Sequence, residues 1–401
     1  MSEWKEYRFT EAATLTNGRA YLQPELQNAG KYKIVRVGNL SGGDKWFYSD
    51  MELPDDKYCH KGDLLYAWAC SFGPYIWNED KTIYHYHIWK VDVNETLTDK
   101  LFLYYYLKYY TPKWMGLTNG SVMMHITKGS LEKQLISLPD LDAQRRIASI
   151  LSSLDDKIAV NKKICENLEA QAQALFKHWF VDFAPFKNGK FVESELGLIP
   201  EGWRVGTLGD ICVTNKRTYG ASSLGIIEYI DTGSVTNNKI DNIQVLDPKI
   251  DKIPSRARRA ITEGDILFSS VRPNQRHFAY MYNPNSRMVA STGFIVITAN
   301  WSGYRYYIYQ YLIQDSVINY LQAIAEQSVS TYPSINASDI TNIKVIIPPD
   351  DIIGNYAAIL SRFMGEIDRN NQESLRLATL RDTLLPRLMS GKLKLNVFTN
   401  L

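Results

Sequence analysis

The sequence predicts an α+β protein in which one pattern is laid down twice, a mixed α/β domain followed by a long helix. Three observations carry this prediction. At 401 residues the chain exceeds the roughly 250–300 at which a single core stops growing. A segment beginning at Leu138, "LPDLDAQRRIASILSSLDDKIAVNKKICENLEAQAQALFKHWF", recurs from Ile347 at an ungapped offset of 209 residues. Both copies of that segment place apolar residues at alternating steps of four and three, the spacing of a coiled-coil seam.

The mixed domains repeat in the same order as the helices. "EWKEYRFTEA" is answered by "GWRVGTLGDI", "YKIVRVGNL" (from Tyr32) by "IEYIDTGSV" (from Ile227), and "HKGDLLYAW" (from His60) by "TEGDILFSS" (from Thr262). Short β-branched and aromatic runs such as "KYKIVRV", "TIYHYHIWKV" and "GFIVIT", punctuated by Gly, Pro and Asn, predict strands. One helical stretch is expected late in each domain, "TDKLFLYYYLKYY" and "YRYYIYQYLIQDSVINYLQAIAEQ", with its Tyr-rich stripe packed inward. The expected boundaries are 1–138 for the first mixed domain, 139–187 for the first helical region, 188–346 for the linker and second domain, and 347–401 for the second helix and tail.

The first seam runs Ile147, Leu151, Leu154, Ile158, Asn161, Cys165, Leu168, Ala172, Leu175, Trp179. The second runs Tyr356, Leu360, Phe363, Ile367, Asn370, Ser374, Leu377, Arg381, Leu384, Leu388. Asn161 and Asn370 occupy the same position, where a polar residue costs stability but fixes register. Seams of equal length in one chain predict that the helices pair with each other, and the pattern alone allows parallel or antiparallel pairing. A helix from Asp142 to Phe180 would be about 58 Å long at 1.5 Å per residue, long enough to act as a spacer.

Composition excludes several functions. Hydrophobic content of 45% and charged content of 22% are those of an ordinary folded protein. No stretch approaches the roughly 18 apolar residues of a membrane span, and "MSEWKEYRFT" has no apolar signal region, so a cytoplasmic protein is expected. The four cysteines, Cys59, Cys70, Cys165 and Cys212, form no CxxC pair and read as buried small hydrophobes. A net charge of +2 means that any contact with nucleic acid must use local charge, such as "SRARR" (Ser255 to Arg259) or the neighbourhood of Arg272 and Arg276.

Catalytic motifs are missing. There is no GxxxxGK[ST], GxGxxG, GxSxG or HExxH, and "IPPDD" at Ile347 lacks both ends of a methyltransferase Asn-Pro-Pro-aromatic signature. His85 and His87 alternate in "YHYHIW" and would share one face of a strand, but no third ligand stands at metal-binding spacing. "LPDDKYCHKGD" carries carboxylates and lysines without the arrangement a nuclease needs. No catalytic residue, metal site or cofactor site is therefore expected on this chain.

The segments "DAQRRIASILSSLDDKI", "ALFKHWFVDFAPF", "GLIPEGW" and "LRDTLLPRLMSGKLKL", with "KGDLLYAW" and "EGDILFSS", closely resemble the specificity subunits of type I restriction-modification systems, and the resemblance spans the whole chain. It implies two target recognition domains separated by two long helices that form an antiparallel intramolecular coiled coil with pseudo-twofold internal repetition. Each domain would read one half of an asymmetric bipartite site on double-stranded DNA. The helices would set the gap and dock two methyltransferase subunits, to which restriction and translocase subunits are added. S-adenosylmethionine, ATP and magnesium would belong to those partners. Two other readings remain to be weighed, a self-contained enzyme that modifies or cleaves DNA and a coiled-coil adaptor with no DNA role.

Family motifs do not carry base-contacting residues over, so these are argued physically. Direct readout uses Arg, Lys, Asn, Gln and small hydroxyls on exposed loops. The second domain offers Ser270, Arg272, Asn274, Gln275 and Arg276 in one loop, and Gln327, Ser328, Ser330, Thr331 and Tyr332 in another. The corresponding first-domain loops, 69–77 and 118–128, offer Ser71, Tyr75, Asn119, Ser121 and Lys128. Lys31, Lys33, Lys216 and Arg217 are candidate phosphate contacts. The faces away from the seam, with "DAQRRI" and the aromatics Phe176, Trp179, Phe180 and Phe183, are expected to meet the methyltransferase subunits or to cap the coiled coil against a recognition domain.

Overall fold

The computed structural model describes residues 4–116, 126–220, 225–327 and 333–393. The chain divides into two compact units, Met1–Val160 with Glu373–Leu401, and Asn161–Gln372. The architecture is mixed α/β with two long helices, Leu141–Phe176 and Asp350–Met389.

Within the first unit, one four-stranded sheet joins Ala13–Asn17, Ile88–Val93, Leu64–Ala67 and Gly73–Ile76, in that order. A second joins Phe47–Ser49, Tyr32–Val35, Thr82–Tyr84 and Tyr58–Cys59. The second unit repeats both orders. Cys212–Thr214, Phe294–Ala299, Ile266–Ser269 and Phe278–Tyr280 form one sheet, and Gln244–Leu246, Ile227–Ile230, Met288–Ser291 and Ala257–Ala260 the other. Even the parallel strand pairing recurs, Tyr32–Val35 beside Thr82–Tyr84 and Ile227–Ile230 beside Met288–Ser291.

The Gly-Asp turn explains why "KGD" and "EGD" are repeated. Gly62 (φ 91°) and Gly264 (φ 80°) adopt the left-handed conformation that side chains resist. Asp63 and Asp265 then accept hydrogen bonds from the backbone N–H of His60 and Thr262, both at 2.8 Å, and tie the turn to the strand that follows. Near the end of each domain a short helix is capped alike, Lys128–Glu132 by Thr127 and Ala337–Thr341 by Asn336. The strand after it, Leu135–Leu138 or Lys344–Ile347, pairs back to the strand that opens the domain.

One expectation about helices needs correction. The second Tyr-rich stretch is two helices, Tyr304–Leu312 and Asp315–Glu326, broken where Gln314 takes an extended conformation (ψ 141°). In the first domain Lys100–Gly116 runs unbroken, with Pro112 inside it. The tyrosines are core residues as expected, with Tyr105, Tyr106, Tyr306, Tyr307 and Tyr309 all at most 2% exposed. Their phenol groups find partners as burial requires; Tyr105 donates to Asp155 at 2.7 Å.

The seam residues meet in antiparallel order inside each unit. In the first, Ile147 and Leu151 share a core with Leu385 and Leu388, and Arg381 binds Asp155 at 2.6 Å. Leu154, Ile158, Leu377 and Leu384 are half-buried around this contact. In the second, Asn161 donates to the Asn370 carbonyl at 3.4 Å, Cys165 lies against Ile367, and Phe180 packs edge-on to Tyr356 at 4.8 Å. Leu360 and Ile367 are buried there, with Leu168, Leu175 and Phe363 packed against the same core. The two seam asparagines are both buried and touch.

Candidate functional site

In each unit three segments converge at the end of the strand that follows the Gly-Asp turn. In the second unit the Ser270 N–H donates to the Gly293 carbonyl at 2.8 Å, and the Ile335 N–H donates to the Ser270 carbonyl at 2.8 Å. In the first unit the Trp68 N–H donates to the His87 carbonyl at 3.1 Å, and the Ile126 N–H donates to the Trp68 carbonyl at 3.3 Å. The two sets correspond bond for bond. Trp68 therefore stands where Ser270 stands, Tyr86 where Thr292 stands, and His87 where Gly293 stands.

The second-unit loop holds most of its expected residues together. Arg272 is exposed and left-handed (φ 48°), and its N–H donates to the Pro333 carbonyl at 3.0 Å. Asn274 and Gln275 are exposed on the turn Pro273–Gln275, and the Asn274 N–H donates to Gln322 at 3.2 Å. The remaining two are engaged within the domain. Ser270 spends its hydroxyl on the Gly293 carbonyl at 2.9 Å, and Arg276 is paired with Asp315. Gln327 is exposed just after the helix Asp315–Glu326. Ser328, Ser330, Thr331 and Tyr332 lie outside the described residues.

The first-unit loop is shorter. From Trp68 to Phe72 it has two residues fewer than Ser270 to Arg276, and exposed Cys70 (φ 61°) takes the position of Arg272. The expectation of four buried cysteines thus fails at Cys70, because the loop turns it outward, while the other three are buried. Ser71 donates to Ser41 at 3.1 Å, and the Tyr75 hydroxyl donates to the Ser71 carbonyl at 3.3 Å. Lys128 donates to the Leu15 carbonyl at 2.7 Å. Asn119 and Ser121 lie outside the described residues.

The candidate phosphate contacts divide. Arg217 places one guanidinium nitrogen 2.7 and 2.6 Å from the two oxygens of fully buried Asp265 and 3.2 Å from Thr298. It anchors the Gly-Asp turn. Lys31 is paired with Glu52, whose carboxyl is held below its usual range by that lysine, and Lys33 with Glu79 at 2.8 Å. Lys216 is exposed. The "SRARR" run passes from a turn at Ser255 and Arg256 into the edge strand Ala257–Ala260, whose register shifts between Ala257 and Arg259, and the Arg256 carbonyl accepts from the Thr292 N–H at 2.8 Å. That contact puts the basic strand beside the Ser270 loop, where sequence spacing gave no sign of it.

One further expectation is corrected. His85 and His87 do not share a strand face; they lie in the turn between Thr82–Tyr84 and Ile88–Val93, and no group of three or more potential metal ligands exists among the described residues. Of the aromatics at the end of the first long helix, Phe176 and Phe180 are buried against Tyr307 and Tyr356, so they cap the helix pair. Within "DAQRRI", Gln144 is wholly buried. Its carboxamide accepts from Thr98 and Asp99 and donates to the Leu97 and Pro139 carbonyls, leaving Arg145 and Arg146 exposed. No helix among the described residues is long and apolar enough to cross a membrane.

The model of the type I restriction modification DNA specificity domain matches residues 1–170 and 200–378. The chain is 28% identical to the type I restriction enzyme MjaIX specificity subunit of Methanocaldococcus jannaschii over 73% of its length and 69% of the relative's. It is 27% identical to the HindI specificity subunit of Haemophilus influenzae over 98% of its length and all of the relative's. Among solved structures, the S subunit of a type I restriction-modification system from M. genitalium aligns over 96% of both chains with a TM-score of 0.59 and 17% identity, a likeness of fold.

Proposed function

The chain belongs to the type I restriction modification DNA specificity family, and on that premise we propose that it is the noncatalytic subunit that selects the DNA target of such a complex. Residues 1–138 read one half of a bipartite site and residues 201–346 the other. The paired helices set the gap and dock two methyltransferase subunits. Restriction and translocase subunits complete the assembly, and S-adenosylmethionine, ATP and magnesium act on those partners. The observation that carries this reading is one strand order repeated twice with different chemistry at equivalent loop positions: Arg272 in one copy, Cys70 in the other. Two equal scaffolds with unequal tips suit the reading of two unlike half-sites.

Affinity in the second domain comes from positive charge near the tip, Arg256, Arg258 and Lys216, all exposed. Discrimination there comes from Arg272, Asn274 and Gln275, which carry the donor and acceptor groups that distinguish base edges. The test is methylation mapping by single-molecule sequencing in cells that express the chain with its cognate modification subunit. An adenine-methylated motif of two specified halves around an unspecified gap is expected. Methylation that does not depend on this chain would reject the reading and favour an adaptor role.

A further inference from the structure

We propose that Trp68, Tyr86 and His87 form the base-reading surface of the first domain, and that they read by apolar contact with thymine methyl groups in the major groove. This rests on the reading of the chain as a specificity subunit. The three residues occupy the backbone positions of Ser270, Thr292 and Gly293, the convergence point of the second domain's tip. Small polar residues there are replaced here by three rings.

The rings form one connected cluster. Trp68 stands edge-on to His87 at 5.0 Å and to Tyr86 at 6.0 Å, Tyr86 and His87 are 3.8 Å apart, and Trp68 stacks on Trp89 at 5.9 Å. The Trp68 indole N–H is spent on the Tyr86 carbonyl at 2.8 Å, which fixes the ring and removes its donor from readout. Tyr86 is 39% exposed, and Trp68 and His87 are half-buried. Solvent thus meets a stiff aromatic surface that costs little side-chain entropy to dock.

Charge argues against a phosphate contact. Burial and the nearby Arg36 push the His87 imidazole below its ordinary value, and burial pushes His85 down to about 4, so both are neutral at pH 7. Arg36 itself lies over the Phe47 ring at 5.2 Å. With its indole N–H spent, the Trp68 ring offers a base edge only apolar contact, and the apolar feature of the major groove is the thymine C5 methyl.

The experiment uses the full chain assembled with its modification subunits and a duplex carrying the mapped target. Each thymine is replaced in turn by deoxyuridine, which removes only the methyl group, and binding is measured. For the native chain, at least one replacement in the first half-site is expected to weaken binding about fourfold, the effect of losing one buried methyl. Tyr86→Ala and Trp68→Ala should bind thymine and uracil duplexes alike, whereas Arg272→Ala should keep the native thymine preference. Equal binding of all first-half duplexes by the native chain would overturn the proposal, as would a first half-site without thymine or a preference that survives in both aromatic variants. Because Tyr86 is exposed, its variant should fold even if Trp68→Ala does not. Absence of any gapped motif would instead reject the specificity-subunit reading itself.

Discussion

The two mixed domains share the order of both four-stranded sheets and the hydrogen bonds that close their tips, yet they hold the Gly-Asp turn differently. In the second, Asp265 is fully buried, receives the Thr262 N–H and hydroxyl, and neutralises Arg217. In the first, Asp63 receives the His60 N–H and lies 3.9 Å from the half-exposed His60 ring. The backbone requirement is common to both, since an aspartate must cap a turn that only glycine enters easily. The charge requirement is local to one domain. The scaffold is thus kept by backbone hydrogen bonds and apolar burial, while charged side chains are free to diverge.

Removing the two aspartates should break this equivalence most visibly. Asp265→Ala strands Arg217 beside a cavity and is expected to cost about 3 kcal/mol, against about 1 kcal/mol for Asp63→Ala, which loses only a cap. Hydrogen exchange of Ile266–Ser269 and Leu64–Ala67 in the respective variants measures both costs, and equal losses would show that the ion pair contributes nothing. At the tips, Arg272→Ala should relax specificity in one half-site by about 1–3 kcal/mol and leave the other half-site unchanged.

The helix pair offers a milder contrast. Unit one sets the Asp155–Arg381 ion pair into its seam, unit two the touching asparagines Asn161 and Asn370. Replacing both asparagines by leucine should raise thermal stability by about 1 kcal/mol while weakening the register they define. Gain without loss of register, read by cross-linking of cysteine pairs placed along the seam, would assign register to packing alone.

The smallest expected effect concerns Glu169, which accepts from Asn238 at 3.1 Å and whose pKa is raised by burial. A carboxyl with a raised folded pKa favours the fold below its unfolded pKa and loses that contribution as pH rises through the folded value. Glu169→Gln should therefore raise the melting temperature at pH 7, with the gain shrinking toward pH 4.

Sequence showed more of the scaffold than of the site. Repeats at offset 209, the glycine of each "GD" turn and the four-three spacing all reflect requirements of backbone and burial, which leave the same residue types wherever they act. The tips answer to no such repetition. Arg217 read as a phosphate contact because its partner Asp265 is 48 residues away in sequence, and Arg256 reaches the tip only through a strand pairing. Trp68 was visible in "LLYAW" opposite "ILFSS", but its meeting with His87 depends on three segments closing together. Likewise the 3,4 spacing named the seam residues and left the direction of pairing open, which contacts such as Asp155–Arg381 supply.

The central claim is that each domain reads its own half-site. The most direct test replaces residues 201–346 with the corresponding domain of a relative whose target is known and maps methylation in cells. A hybrid motif is expected, with the native first half retained and the donor's half in place of the second. A motif in which both halves change, or neither does, would contradict it.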